Sequence, residues 1–169
     1  MKNRRYGNAE ALVAYERVRR GGDFAGFAAL LHDADRHVAR NAAWVLTKAS
    51  DEELLRLHPM LHELMDLALN TSNTSLCRLT LNIIHRLPLA KEDVRTDFLD
   101  FCLEQMAHLS TPPGTQALCM KIAHRLCGFY PELAEEFRRT VEGMDLSFYK
   151  PAVKCTVRHI LSGKKVRKR

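Results

Sequence analysis

The sequence contains no long apolar run, and no stretch approaches the roughly 18 apolar residues that a membrane-spanning helix needs. The basic residues from Met1 to Tyr6 are not followed by the apolar segment of a signal peptide. Hydrophobic residues make up 46% of the chain and charged residues 27%, values typical of a globular protein. We therefore expect a cytoplasmic globular protein that is not embedded in a membrane.

Closely spaced cysteine pairs are also absent, and zinc sites and redox motifs are normally built on such pairs. The number of cysteines is odd, and each lies in an apolar or helical stretch: Cys77, Cys102, Cys119, Cys127 and Cys155. This pattern predicts free, buried thiols in a reducing compartment and no metal site.

Catalytic signatures are missing as well, since there is no nucleophile elbow, phosphate-binding glycine loop, HExxH or kinase motif. Asp97, Asp100 and Glu104 share one predicted helix face, which we interpret as an exposed acidic surface. The sequence therefore predicts no catalytic residues, no cofactor and no enzyme activity.

What the sequence does contain is helical periodicity in every long segment, with turn signals at short intervals. It predicts an all-α protein of about nine helices, near residues 8–20, 23–31, 34–49, 51–70, 74–87, 91–109, 114–128, 131–143 and 148–162. Ser50 is a predicted N-cap with Glu53 at the capping-box position, and Pro131 fits a first helical turn.

Four of these helices align as an internal repeat: His37 to Ala49, Ser75 to Leu87, Gly114 to Leu126 and Tyr149 to Leu161, at offsets of 38, 39 and 35 residues. Each is preceded by another predicted helix, so the pattern indicates four helix pairs. The prediction is a single domain over residues 1–169. It comprises a capping helix at 8–20, repeats near 23–49, 51–87, 91–128 and 131–162, and a basic tail at 163–169.

The second helices, such as "HVARNAAWVLTKA" and "SLCRLTLNIIHRL", have an early arginine followed by small and aliphatic residues. In this and in repeat length the chain resembles the HEAT and armadillo-like superfamily. The resemblance implies a right-handed α-α superhelix, a HEAT-like solenoid in which stacked hairpins share one core. Ala117 and Ala152 stand where the first two repeats have Arg40 and Arg78, so the later repeats are divergent.

Charge is divided between the two sets of helices. The first helices from residue 51 onward are rich in Asp and Glu, whereas the second helices are basic. Second helices line the concave face in HEAT-like solenoids, so the resemblance implies a basic groove. The candidate partner-binding residues are Arg40, Trp44, Lys48, Arg78, Asn82, His85, Arg86, Lys121, His124, Arg125, Lys154 and Arg158.

Three features of the second helices need separate interpretation. Trp44 falls beside Arg40 on the helical wheel, so it is either a binding anchor in the groove or a residue packed against a neighbouring repeat. His85, His124 and His159 align in one column, which predicts a polar ridge along the groove. Helices about 10 Å apart cannot bring three histidines to one metal ion. Arg86 and Arg125 flank the apolar stripe and could instead bridge neighbouring repeats.

We expect a noncatalytic interaction module whose basic face binds an acidic protein partner. The alternative is a nucleic-acid-binding protein that uses the same groove together with the tail "GKKVRKR". HEAT-like DNA alkylation repair glycosylases are similar in architecture only. The chain has a single tryptophan and almost no acid in its second helices, so base excision is not expected.

Overall fold

A computed structural model describes residues 8–21 and 23–163, and this part of the chain is helical without strands. None of its helices is long and apolar enough to cross a membrane. The α helices are α1 Asn8–Gly21, α2 Phe24–Ala29, α3 Arg36–Leu46, α4 Asp51–Leu55, α5 Leu61–Asn70, α6 Thr74–Arg86, α7 Thr96–Ala107, α8 Pro113–Cys127, α9 Pro131–Glu142 and α10 Pro151–Leu161. Short 3-10 helices lie at Leu30–His32, His58–Met60, Lys91–Asp93 and Leu146–Phe148.

These helices form two compact units, one ending at Leu87 and one beginning at Pro88. The first unit contains α1 to α6 and the second contains α7 to α10. Each unit therefore holds two of the predicted repeats, with α1 added to the first. The organisation of the whole chain as a single domain stays a prediction.

The single helix predicted over residues 51–70 is wrong. Helix α4 ends at Leu55, a 3-10 helix covers His58–Met60, and α5 starts at Leu61. Pro59 explains the break, because proline has no backbone N–H and disfavours the α conformation of the residue before it. With this break the described residues contain ten α helices where the sequence predicted about nine.

Two local predictions are confirmed at helix starts. Ser50 Oγ accepts a hydrogen bond from the Glu53 N–H at 3.2 Å, and Glu53 Oε2 accepts one from the Ser50 N–H at 2.8 Å, which completes the capping box. Pro131 is the first residue of α9. Arg19 of α1 also donates to Glu53 Oε1 at 2.7 Å, so the cap residue ties α1 to α4.

In the first unit, α3 packs against α1 and α6, and α5 packs against α6. One face of α6 and its C-cap residue form core: Leu76, Leu79, Ile83, Ile84 and Leu87 are all buried. Helix α3 buries the equivalent face through Ala42, Val45 and Leu46. Because α3 and α6 bury equivalent positions 38 residues apart, their remaining faces are also equivalent.

In the second unit, α8 packs against α7, α9 and α10 and is buried along most of its length. Leu118, Ile122, Ala123 and Leu126 of α8 are buried, and so are Phe98 of α7 and Phe137 of α9. The prediction that every cysteine is buried is wrong for Cys155, which is exposed on α10, and for Cys77, which is half-buried on α6.

The predicted register of the fourth repeat agrees with the burial of its apolar residues. At the predicted offset of 35 residues, Val153 and Val157 of α10 take the positions of Leu118 and Ile122 of α8, and all four are buried. Of the three aligned histidines, His85 is half-buried, and His124 and His159 are exposed.

Candidate partner-binding surface

The second helix of each pair carries positive charge only. Helices α3, α6, α8 and α10 contain no Asp or Glu. Their basic residues are Arg36, Arg40, Arg78, Arg86, Lys121, Arg125, Lys154 and Arg158. Asp35, the one acid that the sequence placed in these helices, is the N-cap of α3 and lies outside it.

From α4 onward, the first helices have the opposite charge, whereas α2 carries no charged residue. Helices α4, α5 and α7 carry acids and no Lys or Arg, and α9 carries four glutamates and two arginines. Both arginines of α9 pair within their own helix, Arg138 with Glu142 at 2.7 Å and Arg139 with Glu135 at 3.1 Å. The division of charge predicted from the sequence thus follows the boundaries of the elements.

On the first unit, α3 presents a row of three residues spaced by one turn. Arg40 and Trp44 are half-buried and Lys48, just after the helix, is exposed. The Lys48 ammonium lies 5.5 Å from the centroid of the Trp44 ring, which is cation–π distance. Arg40 also donates to the Asn41 side chain at 2.6 Å, which holds its guanidinium beside the helix.

Helix α6 continues this surface. Arg78 is exposed and Asn82 is half-buried, and they stand 38 residues after Arg40 and Trp44 at equivalent positions. Since α3 packs against α6, both rows lie on one side of the pair, about 10 Å apart. We name Arg40, Trp44, Lys48, Arg78 and Asn82 the basic-aromatic face.

Arg86 is at the end of α6 and makes contacts of a different kind. Its guanidinium donates to the carbonyl oxygens of Thr47 at 3.0 Å and Ala49 at 2.7 Å. It also donates twice to the Asp51 carboxylate, at 3.0 and 2.8 Å. These bonds connect α6 to the turn between α3 and α4, as expected for a residue that bridges repeats. His85 is half-buried beside it.

On the second unit, the predicted site residues differ in exposure. Lys121 and Arg125 of α8 and Lys154 of α10 are half-buried, whereas Arg158 is exposed. Burial lowers the pKa of Arg125, because desolvation disfavours its charged form. Arg158 is therefore the most accessible of these cations within the described part of the second unit.

His124 of α8 contacts α9, the first helix of the following pair. Its ring centroid is 5.8 Å from that of Phe137 on α9. His124 is exposed, although desolvation of its ring lowers its pKa below the ordinary value of 6.5. The histidine therefore combines an exposed position with a contact at the border of α8 and α9.

The described residues contain no group of three or more His, Cys, Asp or Glu side chains that could hold a metal ion. Asp97 pairs with Arg95 at 2.6 Å, and this arginine is the main cause of the lowered pKa of the Asp97 carboxyl. Asp100 and Glu104 are exposed on the same helix. Residues 164–169, which supply most of the predicted basic tail, lie outside the described part of the chain.

A cleft on the first unit was not predicted from the sequence. It has a volume of about 260 Å³ and lies where α3 and α6 begin, beside the end of α5. Its floor is apolar and its rim includes Arg36, which is one turn before Arg40. The two N-caps next to it, Asp35 and Asn73, are 38 residues apart. This spacing was the signal in the sequence from which the cleft could have been predicted.

The described helices form pairs with a shared core, and the second helix of each pair carries positive charge only. Helix pairs stacked in this way define an α-helical repeat protein. A family model for the HEAT repeat domain matches residues 4–164, and the chain belongs to this family. The predicted fold class, an all-α HEAT-like solenoid, is thereby confirmed, while its right-handed sense stays a prediction. No curated protein and no solved structure gives a significant match to the chain.

Proposed function

We propose that the protein is a noncatalytic interaction module that binds an acidic segment of a protein partner on its second helices. HEAT repeats generally serve as protein-interaction scaffolds, which supports the general class. The observation that carries the specific proposal is the complete absence of acids from α3, α6, α8 and α10. A surface of one sign attracts and orients a partner of the opposite sign.

The basic-aromatic face of the first unit is the proposed anchor. Trp44 offers a large apolar area, and tryptophan and arginine are the residue types that dominate protein binding hot spots. Arg40 and Lys48 lie one turn before and after Trp44, and Arg78 lies on the adjacent α6; none of the three has a carboxylate partner among the described residues. Carboxylates of a partner would therefore meet positive charge on both sides of Trp44.

One observation favours an acidic protein over nucleic acid. Trp44 is the only Phe, Tyr or Trp residue in α3, α6, α8 and α10, whereas nonspecific binding of single strands commonly uses several aromatic rings for base stacking. Nucleic-acid binding is kept as an outcome of the test below.

The test is the affinity of a fluorescein-labelled hexaglutamate peptide, measured by fluorescence anisotropy at low and moderate salt. The double variant Arg40→Glu, Arg78→Glu reverses two charges of the face and is expected to weaken binding about tenfold or more at low salt. The matched control Arg17→Glu, Arg20→Glu makes the same change of net charge on exposed positions of α1.

Equal loss in both variants would mean that net charge, and not this face, determines binding, and the proposal would be rejected. Labelled duplex and single-stranded DNA and RNA are tested in parallel by electrophoretic mobility shift. Strongly salt-dependent retardation of a nucleic acid without binding of the peptide would replace the proposal with its alternative.

A further inference from the structure

The cleft on the first unit lies next to the basic-aromatic face, at the point where α3 and α6 begin. Its floor is formed by Leu31, Ala39 and Leu76, which are 0%, 2% and 5% exposed, together with the half-buried Leu67. These side chains come from four elements of one unit, so the floor belongs to its core. An apolar depression in such a floor offers space to an apolar group and no hydrogen bond.

The polar groups of the rim are mostly occupied by local bonds. Asp33 accepts from the Asp35 N–H, Asn73 caps α6, and Asn70 donates to the Asp66 carbonyl at 2.8 Å. Arg36 reaches across to the Ser72 hydroxyl at 3.5 Å, a long and weak contact. The side chain of Arg36 is exposed, so it can turn toward a ligand.

The size of the cleft fits one large side chain. Its volume is about 260 Å³, and an apolar cavity of roughly 150 Å³ already holds benzene. Its position fits a ligand that also occupies the basic-aromatic face, since Arg36 and Arg40 are separated by one turn, about 6 Å along the helix. A continuous partner segment can therefore contact both.

We propose that the cleft is a pocket for one aromatic or large aliphatic side chain of the acidic partner segment. The partner is then a segment in which a run of carboxylates adjoins an apolar residue, with the carboxylates on Arg36, Arg40 and Arg78 and the apolar side chain on Leu31, Leu67 and Leu76. This inference rests on the proposed function and adds the second element of recognition.

The experiment compares two labelled probes, a hexaglutamate flanked at both ends by phenylalanine and one flanked by alanine. Flanking both ends makes the result independent of the direction in which the segment binds. Burial of a phenylalanine is expected to make the first probe bind wild type about tenfold more tightly. The ratio of the two affinities measures binding of phenylalanine in the pocket. The affinity of the alanine probe measures binding of the carboxylates on the basic-aromatic face.

Two substitutions at the rim separate the pocket from other effects. Asn70→Phe places a ring at the cleft and is expected to bring the ratio close to one. Asn70→Ala loses the same bond to the Asp66 carbonyl but leaves the cleft open, so the ratio stays near its wild-type value. Far-ultraviolet circular dichroism and thermal unfolding check that both variants fold.

A second measurement needs no variant. Methyl NMR signals of Leu31, Leu67 and Leu76 are expected to shift with the phenylalanine probe more than with the alanine probe. A ratio near one in wild type, or a gain that survives Asn70→Phe without these shifts, would overturn the pocket while leaving the basic face intact. Failure of both probes to bind would reject the pocket and the proposed function together.

Discussion

At the scale of single residues, His124 shows how packing changes the chemistry of a side chain. The sequence placed it in a polar ridge, and it is exposed, but its ring also contacts Phe137 and desolvation lowers its pKa. A helical wheel gives the direction in which a side chain leaves its helix. It does not give the ring that a following helix places there, which is why this contact was not predicted.

This contact predicts a dependence of stability on pH. Since the pKa of His124 is lower in the folded than in the unfolded chain, the unfolded chain binds more protons between the two values. Stability is therefore lost as pH falls below about 6.5 and levels off once the folded histidine is protonated.

The variant His124→Gln removes this titration. Its unfolding free energy is expected to fall less than that of wild type between neutral and mildly acidic pH, and the difference is small because solvent screens the exposed imidazole. Urea unfolding at a series of pH values measures the difference. Parallel curves for the two proteins would show that the contact with Phe137 does not govern the titration of this residue.

Trp44 is the residue for which the helical wheel was most informative. Its position beside Arg40 and opposite Leu46 was predicted, and it is half-buried while Leu46 is fully buried. Its contact with Lys48 could also be anticipated from the spacing of four residues. Whether a partner covers the ring depends on surfaces outside this chain, which its sequence does not encode.

At the scale of elements, most helices follow from periodicity and caps, and the break in the helix predicted at 51–70 has a local cause. Pro59 divides that segment, so α4 ends at Leu55 and α5 starts at Leu61. The cleft between the starts of α3 and α6 depends on how neighbouring hairpins pack, which no single segment reveals.

Arg86 is the residue that connects elements across the first two repeats. Its side chain is 24% exposed and bonds two backbone carbonyls, whereas its partner Asp51 is 56% exposed. Exposed ion pairs contribute little, so the stabilisation comes chiefly from the carbonyl bonds. Arg86→Ala is expected to lower the free energy of unfolding by about 1–2 kcal/mol.

Urea unfolding of three variants tests this assignment. Arg78→Ala removes an exposed arginine from the same helix and is expected to change stability by less than about 0.5 kcal/mol. Asp51→Asn keeps the carbonyl bonds and is expected to lie between the two. If Arg86→Ala were as stable as Arg78→Ala, Arg86 would be free of a structural role and would belong with the partner-binding residues.

At the scale of the whole molecule, the sign of the net charge and the charge of the helices have different origins. The chain has a formal net charge of +6, yet residues 6–149 sum to −5. The positive balance comes from the two ends of the sequence, which include α10, while the basic helices α3, α6 and α8 lie within an acidic remainder. Net charge therefore does not identify the ligand, and only the arrangement of charge by element does.

Removal of residues 164–169 separates these two sources of positive charge. The truncation deletes five basic residues and leaves the chain at +1, but it changes no residue of α3 or α6. Affinity for the hexaglutamate probe is expected to change less than about threefold, because the basic-aromatic face is intact and distant charges are screened. Any weak retardation of duplex DNA at low salt is expected to be largely lost, since nonspecific binding depends on the number of phosphate contacts.

Anisotropy titrations and mobility shifts on the truncated and full-length chains measure both effects. Loss of peptide binding on truncation would transfer recognition of the acidic segment from the helices to residues 164–169.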